Sequence, residues 1–392
     1  MIQVSLFDIF KYFLFVGSTV FGGPLAVIET MRYDLVLRKK WFTINEFENY
    51  LGYAQLAPGP LAFQVSVYLG FYKKGFFGAV LAGLGLVIPS FILVLVFSIF
   101  YSAYKDITYI KYCLYGLAPV IIAIIFQSGF KLTTAVLKKD IFLYILFGIS
   151  IFLTIFFKLY IIFLIIGAAL ISLLYYIIKE KKFSGGSINS FSIFIFLGVT
   201  TAFSKLFISL KEIAFGKLLE LALLFLKVGS LTYGSGFVIV GVLRQEIVDN
   251  LHWLTPKELL DGIAFGQITP GPVVITSTFI GYLTQGFAGS VVATFCIFLP
   301  SFIFVLILAS KIEKYKDNFY LKSFIKGANA AAIGAILSTA YLLSKDAIPD
   351  IQTFVLFILA LPVLFFTKFK PIYLIFISAV FGIILKMFIF SG

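Results

Sequence analysis

Apolar runs follow one another along almost the whole chain, separated by short polar stretches. Phe76 to Phe100, Ile141 to Phe157, Leu159 to Ile178 and Phe191 to Leu206 are the clearest of them. At about 1.5 Å of rise per helical residue these runs match, within a few residues, the roughly 30 Å of hydrocarbon in a bilayer. The pattern predicts membrane-spanning helices, and no soluble domain fits between them. One apolar stretch is interrupted. Residues 53–64, YAQLAPGPLAFQ, hold Pro58-Gly59-Pro60 in the middle of what should be a helix. Pro58 ends a helix, Gly59 lets the chain turn, and Pro60 suits the first position of a new one. The expected result is two half-helices meeting near the middle of the membrane, the first running from Thr43 to Ala57.

The same interruption occurs twice. A shift of 212 positions lays Gly17–Pro60 on Gly229–Pro272 with twelve identities in 44 positions and no gap. Gly22 meets Gly234, Arg32 meets Arg244, Trp41 meets Trp253, and Gln55 and Pro58-Gly59-Pro60 meet Gln267 and Pro270-Gly271-Pro272. At a shift of 211, Gly70, Gly75, Gly78, Pro89-Ser90-Phe91 and Gly116 meet Gly281, Gly286, Gly289, Pro300-Ser301-Phe302 and Gly327. Such spacing reads as a duplicated unit. Residues 1–178 are expected to form the first repeat, 179–216 a linker with one extra span, and 217–392 the second repeat. Thr43-x-x-Glu46 and Thr255-x-x-Glu258 are capping boxes, the second with Pro256 at the first helical position, so both glutamates have a structural role.

Composition narrows the class. The chain has 392 residues, of which 61% are hydrophobic and 12% charged, and a mean hydropathy of +1.08. That is an all-α polytopic membrane protein. Its net charge of +13 comes mostly from lysines at the ends of apolar runs, as the positive-inside rule expects. Lys73-Lys74 and the Lys131–Lys139 loop are basic in the first copy, whereas Tyr282 to Ala288 has no lysine in the second. Opposite bias on matching loops predicts copies of inverted topology. Counting each break as one crossing gives about 13 membrane segments with the N-terminus inside. Asp8 and Lys11 without an Ala-x-Ala site read as a retained first helix, not a signal peptide.

Candidate chemistry follows from the breaks. Backbone groups freed in hydrocarbon need partners, so a break survives where it lines a cavity or is covered by protein. A half-helix starting at Pro60 or Pro272 aims free amides and the positive end of its dipole into the gap, which suits an anion. Gln55 and Gln64 flank the first break, and Gln267 and Thr276 the second, as uncharged donors. Gly22-Gly23 and Gly234-Ser235-Gly236 either unwind the first helix of each copy for the same purpose or allow close packing. Arg32 and Arg244 are the matched cations. They either snorkel to the interface or attract and gate the anion. Lys227, matched by Phe15, is read as a snorkelling residue. Catalysis has no support: His252 stands in a capping region, and neither GxSxG nor HExxH occurs. Cys113 and Cys296 form no CxxC, so no metal and no cofactor is implied. A channel shares these features and stays open as an alternative.

On these residues the chain resembles the chromate ion transporter family in its two-domain form. The likeness rests on Phe21-Gly22-Gly23-Pro24, Arg32, Trp41 and Gln55-Leu56-Ala57-Pro58-Gly59-Pro60 in the first copy. In the second it rests on Lys227-Val228-Gly229, Gly234-Ser235-Gly236, Trp253-Leu254-Thr255 and Gly266-Gln267-Ile268-Thr269-Pro270-Gly271-Pro272. The resemblance implies a secondary transporter that exports chromate across the cell inner membrane, with sulfate as a competing oxyanion. It departs at Val27, where the family's first copy usually has histidine. The partners expected are the oxyanion and the lipid bilayer, with a homodimer as one option for assembly and no nucleic acid.

Overall fold

Every regular element among the described residues is a helix, as a backbone that must satisfy its own hydrogen bonds in lipid requires. The computed structural model describes residues 4–55, 58–157, 159–180, 216–232, 236–309, 318–367 and 369–389. The expected span at Phe191 to Leu206 lies outside them. The first half contains α1 (Leu6–Thr19), α2 (Gly23–Arg32), α3 (Ile44–Ala54), α4 (Leu61–Tyr104), α5 (Thr108–Leu132), α6 (Ile141–Phe157) and α7 (Ile161–Lys179). The second contains α8 (Lys217–Leu231), α9 (Val238–Leu243), α10 (Pro256–Ile268), α11 (Thr276–Ala309), α12 (Phe319–Ala347), α13 (Ile351–Phe366) and α14 (Pro371–Ile389). Among the described residues five helices are long and apolar enough to cross a bilayer: α4, α5 with its extension to Leu137, α7, α11 with the turn before it, and α12.

Features recur at the matched positions. A π-helical turn follows α2 at Tyr33–Arg38 and α9 at Arg244–Asn250. Lys40 and His252 both take positive φ, at 52° and 50°. Both capping boxes form: Thr43 and Glu46 exchange side-chain to backbone hydrogen bonds at the start of α3, and Thr255 and Glu258 do so at the start of α10. The first of these helices runs to Ala54, and its expected end at Ala57 lies outside the described residues.

The breaks do not continue a crossing as expected; the chain turns back. Along α3 and the first part of α4, Tyr53 faces Tyr68 with ring centroids 6.4 Å apart, and Tyr50 faces Tyr72 at 4.7 Å. One partner advances as the other retreats, so the two segments are antiparallel, with Pro58-Gly59-Pro60 at the tip. Lys73 then lies over the Phe42 ring, 4.3 Å from its centroid, back at the end where α3 began. In the second half, Gly262 lies against Phe279 and Gly266 against Thr276 and Val273, the same antiparallel pattern. Each break is thus the tip of a helical hairpin that enters and leaves from one end. A span count that gives every break one crossing has to be revised.

A second fold follows each hairpin. Lys74 and Gly75 leave helical geometry inside α4, as Gln285 and Gly286 do inside α11. Gly75 and Gly286 take φ near 60°, which a side chain strains. The helices on either side then run so close that a Cβ on Gly70 or Gly78 would collide with the carbonyl of the other. Gly281 and Gly289 make the same contact. The straight part of α4, residues 76–104, is about 40 Å long at helical rise and spans a bilayer. Its beginning lies beside the open end of the α3 hairpin. At its far end, Lys105 Nζ lies 2.8 Å from Glu258 Oε1 at the start of α10. The two hairpins therefore start from opposite ends of this helix. The halves interlock: α6 and α7 pack on α12, α13 and α14 pack on α5, and α4 packs on α11.

Candidate functional site

The two hairpin tips meet the first helix of the other half. Gly59 N–H donates to the carbonyl of Thr232, just past α8. Gly271 N–H donates to the carbonyl of Val20, just past α1, at 3.3 Å. Both glycines have positive φ, 143° and 102°. A serine from the opposite long helix closes each tip: Ser90 Oγ donates to the Pro270 carbonyl and leaves no room for a side chain on Gly271. Ser301 occupies the corresponding place against Gly59. These reciprocal contacts bring Pro58-Gly59-Pro60 and Pro270-Gly271-Pro272, all buried, into the interior of the molecule.

Several polar atoms there have no hydrogen-bond partner. Ser301 Oγ, which lies against Gly59, Gln267 Nε2, three residues before Pro270, and Ser277 Oγ, five residues after Pro272, are buried in this state. In a native structure such groups cost on the order of 1–3 kcal/mol each, so a cluster of them around two backbone breaks marks a place where a polar guest belongs. The helices beginning at the tips add backbone donors. Gln64 N–H already bonds the Pro60 carbonyl at 3.0 Å, and Ile275 N–H the Pro272 carbonyl at 3.1 Å. The amides of Leu61, Ala62 and Phe63, and of Val273 and Val274, precede the first intrahelical bond of their helices. The amides of Gly59 and Gly271 themselves are taken by the opposite half.

The other expected residues divide. Gln64 is fully buried with its amide against Gly59, and Gln267 is half-buried, but Gln55 is exposed. Thr276 is buried and its hydroxyl donates to the Val273 carbonyl at 3.0 Å. Gly22 and Gly23 unwind the chain between α1 and α2 at φ 115° and 80°. Gly236 is buried beside Val273 and Val274, whereas Gly234 and Ser235 lie outside the described residues. Val27 is buried in the core. Ser90, Ser277 and Ser301 went unassigned in the sequence. The recurrence of Pro-Ser-Phe at 89–91 and 300–302 is the signal that marks two of them.

The matched arginines differ. Arg32 is half-exposed and engaged by Glu29 and Glu48, each at 3.3 Å. Arg244 is mostly buried; its nearest carboxylate is Asp249 at 3.7 Å, and its Nε and one terminal nitrogen have no hydrogen bond. It borders a cleft of about 430 Å³, counted with the space at its mouth, together with Thr154, Leu159, Asp249 and Thr339. Lys227 does not snorkel as expected. The buried Glu246 holds its ammonium at 2.6 Å, because a carboxylate out of water needs a cation. At the hairpin mouth, the Thr43 backbone N–H, with the Thr43 hydroxyl and Lys73, holds the Glu46 carboxyl below its ordinary range against a smaller effect of burial.

With five bilayer-length apolar helices among the described residues, the chain is a multi-pass membrane protein. It belongs to the chromate transporter family, whose model matches residues 7–173 and again 219–383. It is 34% identical over 361 residues to a probable chromate transport protein of Synechococcus elongatus, covering 91% of this chain and 89% of the relative. To a chromate transport protein of Cupriavidus metallidurans it is 34% identical over 368 residues, covering 94% and 89%. An uncharacterized transporter of Methanocaldococcus jannaschii is 30% identical over 388 residues, covering 96% of this chain and 94% of that one. No solved structure matches the chain.

Proposed function

We propose that the protein is a secondary transporter that exports chromate, binding the dianion at the two buried hairpin tips. The observation that carries this reading is the cluster of buried, unpartnered donors around the reciprocal contacts of Gly59 with Thr232 and Gly271 with Val20. Neutral donors and helix starts can replace the water of an oxyanion without an ion pair that is slow to release. Chromate is the substrate carried in the names of two of the relatives, and sulfate has the same shape and charge.

In this reading residues 1–178 and 217–392 are inverted-topology repeats. Support comes from hairpins that start at opposite ends of residues 76–104, and from one family model matching twice. Each repeat contributes two hairpins, α1–α2 and α3 with the start of α4, then four crossings. Tyr12 against Trp41, ring centroids 5.6 Å apart, supports the return of the first hairpin. The basic loops favour an N-terminus on the cytoplasmic side of the cell inner membrane.

The test is uptake of labelled chromate and sulfate into everted vesicles, with the membrane potential and the pH gradient collapsed separately. A transporter gives saturable uptake and accelerated exchange when the lumen holds unlabelled substrate. Single-channel currents without saturation would replace this reading with a channel, and indifference to both anions would replace the substrate.

A further inference from the structure

Three carboxylates are buried among the described residues: Asp34, Glu246 and Asp261. Two of them face a cation. Asp34 has Arg38 at 3.4 Å, and Glu246 has Lys227 at 2.6 Å. Asp261, 3% exposed, meets instead the neutral phenol of Tyr101, whose hydroxyl donates to its Oδ2 at 2.8 Å. Lys105, the neighbouring cation on α4, is already engaged by Glu258 at 2.8 Å. A buried carboxylate inside a membrane protein that lacks a cation of its own is costly to keep charged and marks a functional position.

Its place in the fold adds to this. Asp261 lies on α10, the rising arm of the second hairpin, six residues before Gln267 and therefore about 9 Å along the helix from it. Whatever moves the tip moves Asp261. The first half offers no equivalent, since the matched residue is Asn49, which is exposed. Tyr101 belongs to the long helix of the first half, so the hydrogen bond joins the halves.

The charged groups around it are few. Lys257 and Glu258 precede it on α10, and Lys105 approaches from α4. The other packed elements are α5, with Tyr109, Lys111, Tyr112, Tyr115 and Lys131, α12, with Tyr320, Lys322, Lys326, Tyr341, Lys345 and Asp346, α14, with Tyr373 and Lys386, and the π-helical turn after α9, with Arg244, Glu246 and Asp249. In that turn Glu246 is held by Lys227 and Arg244 approaches Asp249 at 3.7 Å. Lys111 pairs with Asp106, and Lys386 approaches Asp350 at 4.0 Å, where Asp350 also accepts the Tyr115 hydroxyl. From α11, Phe279 lies against Gly262 and Thr276 against Gly266 on α10.

We propose that Asp261 is a proton-binding site linked to the oxyanion site: it takes a proton from water as the dianion binds and returns it as the dianion leaves. The inference rests on the oxyanion reading of the hairpin tips. Its physical basis is repulsion. An ionised carboxylate about 10 Å from a dianion, at the effective dielectric of a protein, weakens binding at least about tenfold, and protonation removes that penalty. By linkage, the bound dianion strengthens proton binding by the same factor. The chemistry is a single proton exchange between water and Oδ of Asp261, and the Tyr101 hydroxyl can stay bonded to the carboxyl throughout.

The experiment uses the full chain in nanodiscs, with chromate and sulfate as probes. Binding is measured across pH, and proton uptake on anion addition is followed with an indicator in weak buffer. The titration of the anions themselves is common to every variant and cancels in the comparison. Wild type should lose at least about tenfold in affinity as the pH rises and should take up protons on binding. Asp261→Asn should bind tightly at all pH values and lose that uptake, while Asp261→Glu should keep it. Tyr101→Phe should move the pH dependence without removing it. An Asp261→Asn protein with the pH profile and proton uptake of wild type overturns the linkage. If the Asn variant does not fold, a Tyr101→Phe protein with the pH profile of wild type overturns it equally. A wild-type protein that binds neither anion at any pH overturns the oxyanion reading and the linkage with it.

Discussion

Gln267 and Ser301 should matter more for substrate binding than Gln55, because their polar atoms are buried and unpartnered whereas Gln55 is exposed. A hydrogen bond to a charged group is worth roughly 1.5 to 3 kcal/mol, or about ten- to a hundredfold in affinity. Gln267→Leu and Ser301→Ala should each raise the half-saturating chromate concentration within that range, with normal protein level in the membrane. Gln285→Leu, at the fold between the parts of α11, should leave it unchanged. Unaltered concentration dependence in both site variants would move the anion elsewhere, with the Arg244 cleft as the next place to look. There Arg244→Gln should slow uptake more than Arg32→Gln, since Arg32 is already engaged by two carboxylates.

The hairpins depend on caps and close glycine contacts. Thr43→Ala removes the acceptor for the Glu46 amide and should destabilise the first hairpin by about 1 kcal/mol, seen as a lower melting temperature in detergent. Glu46 is held below its ordinary range, so its contribution is fully present above the unfolded value of about 4.3 and is lost as the pH falls through the lowered folded value. Glu46→Gln should therefore flatten the acid side of the stability profile while leaving transport at neutral pH intact. A loss of transport in this variant with normal melting would show that Glu46 acts on the substrate path. Gly70→Leu is a harsher test. It places a side chain against the Gly78 carbonyl, and little folded protein should reach the membrane.

For the molecule as a whole, the prediction is that Lys74 and Gln285, which fold α4 and α11 back on themselves, face opposite sides of the membrane. Single cysteines at these positions, in a protein lacking Cys113 and Cys296, should react with an impermeant thiol reagent from the cytoplasm and from outside respectively. Labelling from one face only would remove the inverted arrangement. Much of this was legible in the chain. The matched Pro-Gly-Pro segments, the capping boxes and the halves all stand out at a fixed offset, because caps and breaks arise from residues within a few positions of one another. The return of each break was not legible. A hairpin of two half-helices and one broken span present the same run of apolar residues, and hydropathy weighs them equally.

Local chemistry thus accounts for the membrane class, for where helices start and stop, and for the two places where the backbone had to find outside partners. Long-range packing accounts for which partners it found. Tyr50 on Tyr72 turns the chain back at Pro58-Gly59-Pro60, and the interlocking of α4 with α11 gives Gly59 to Thr232 and Gly271 to Val20. The same packing leaves Asp261 beside a phenol, whereas Glu246 was left beside a lysine. Those pairings join residues more than 150 positions apart in the case of Gly59, Gly271 and Asp261. No periodicity or motif reports contacts at that separation, since they exist only once the hydrocarbon has forced every polar group to choose a partner inside the protein.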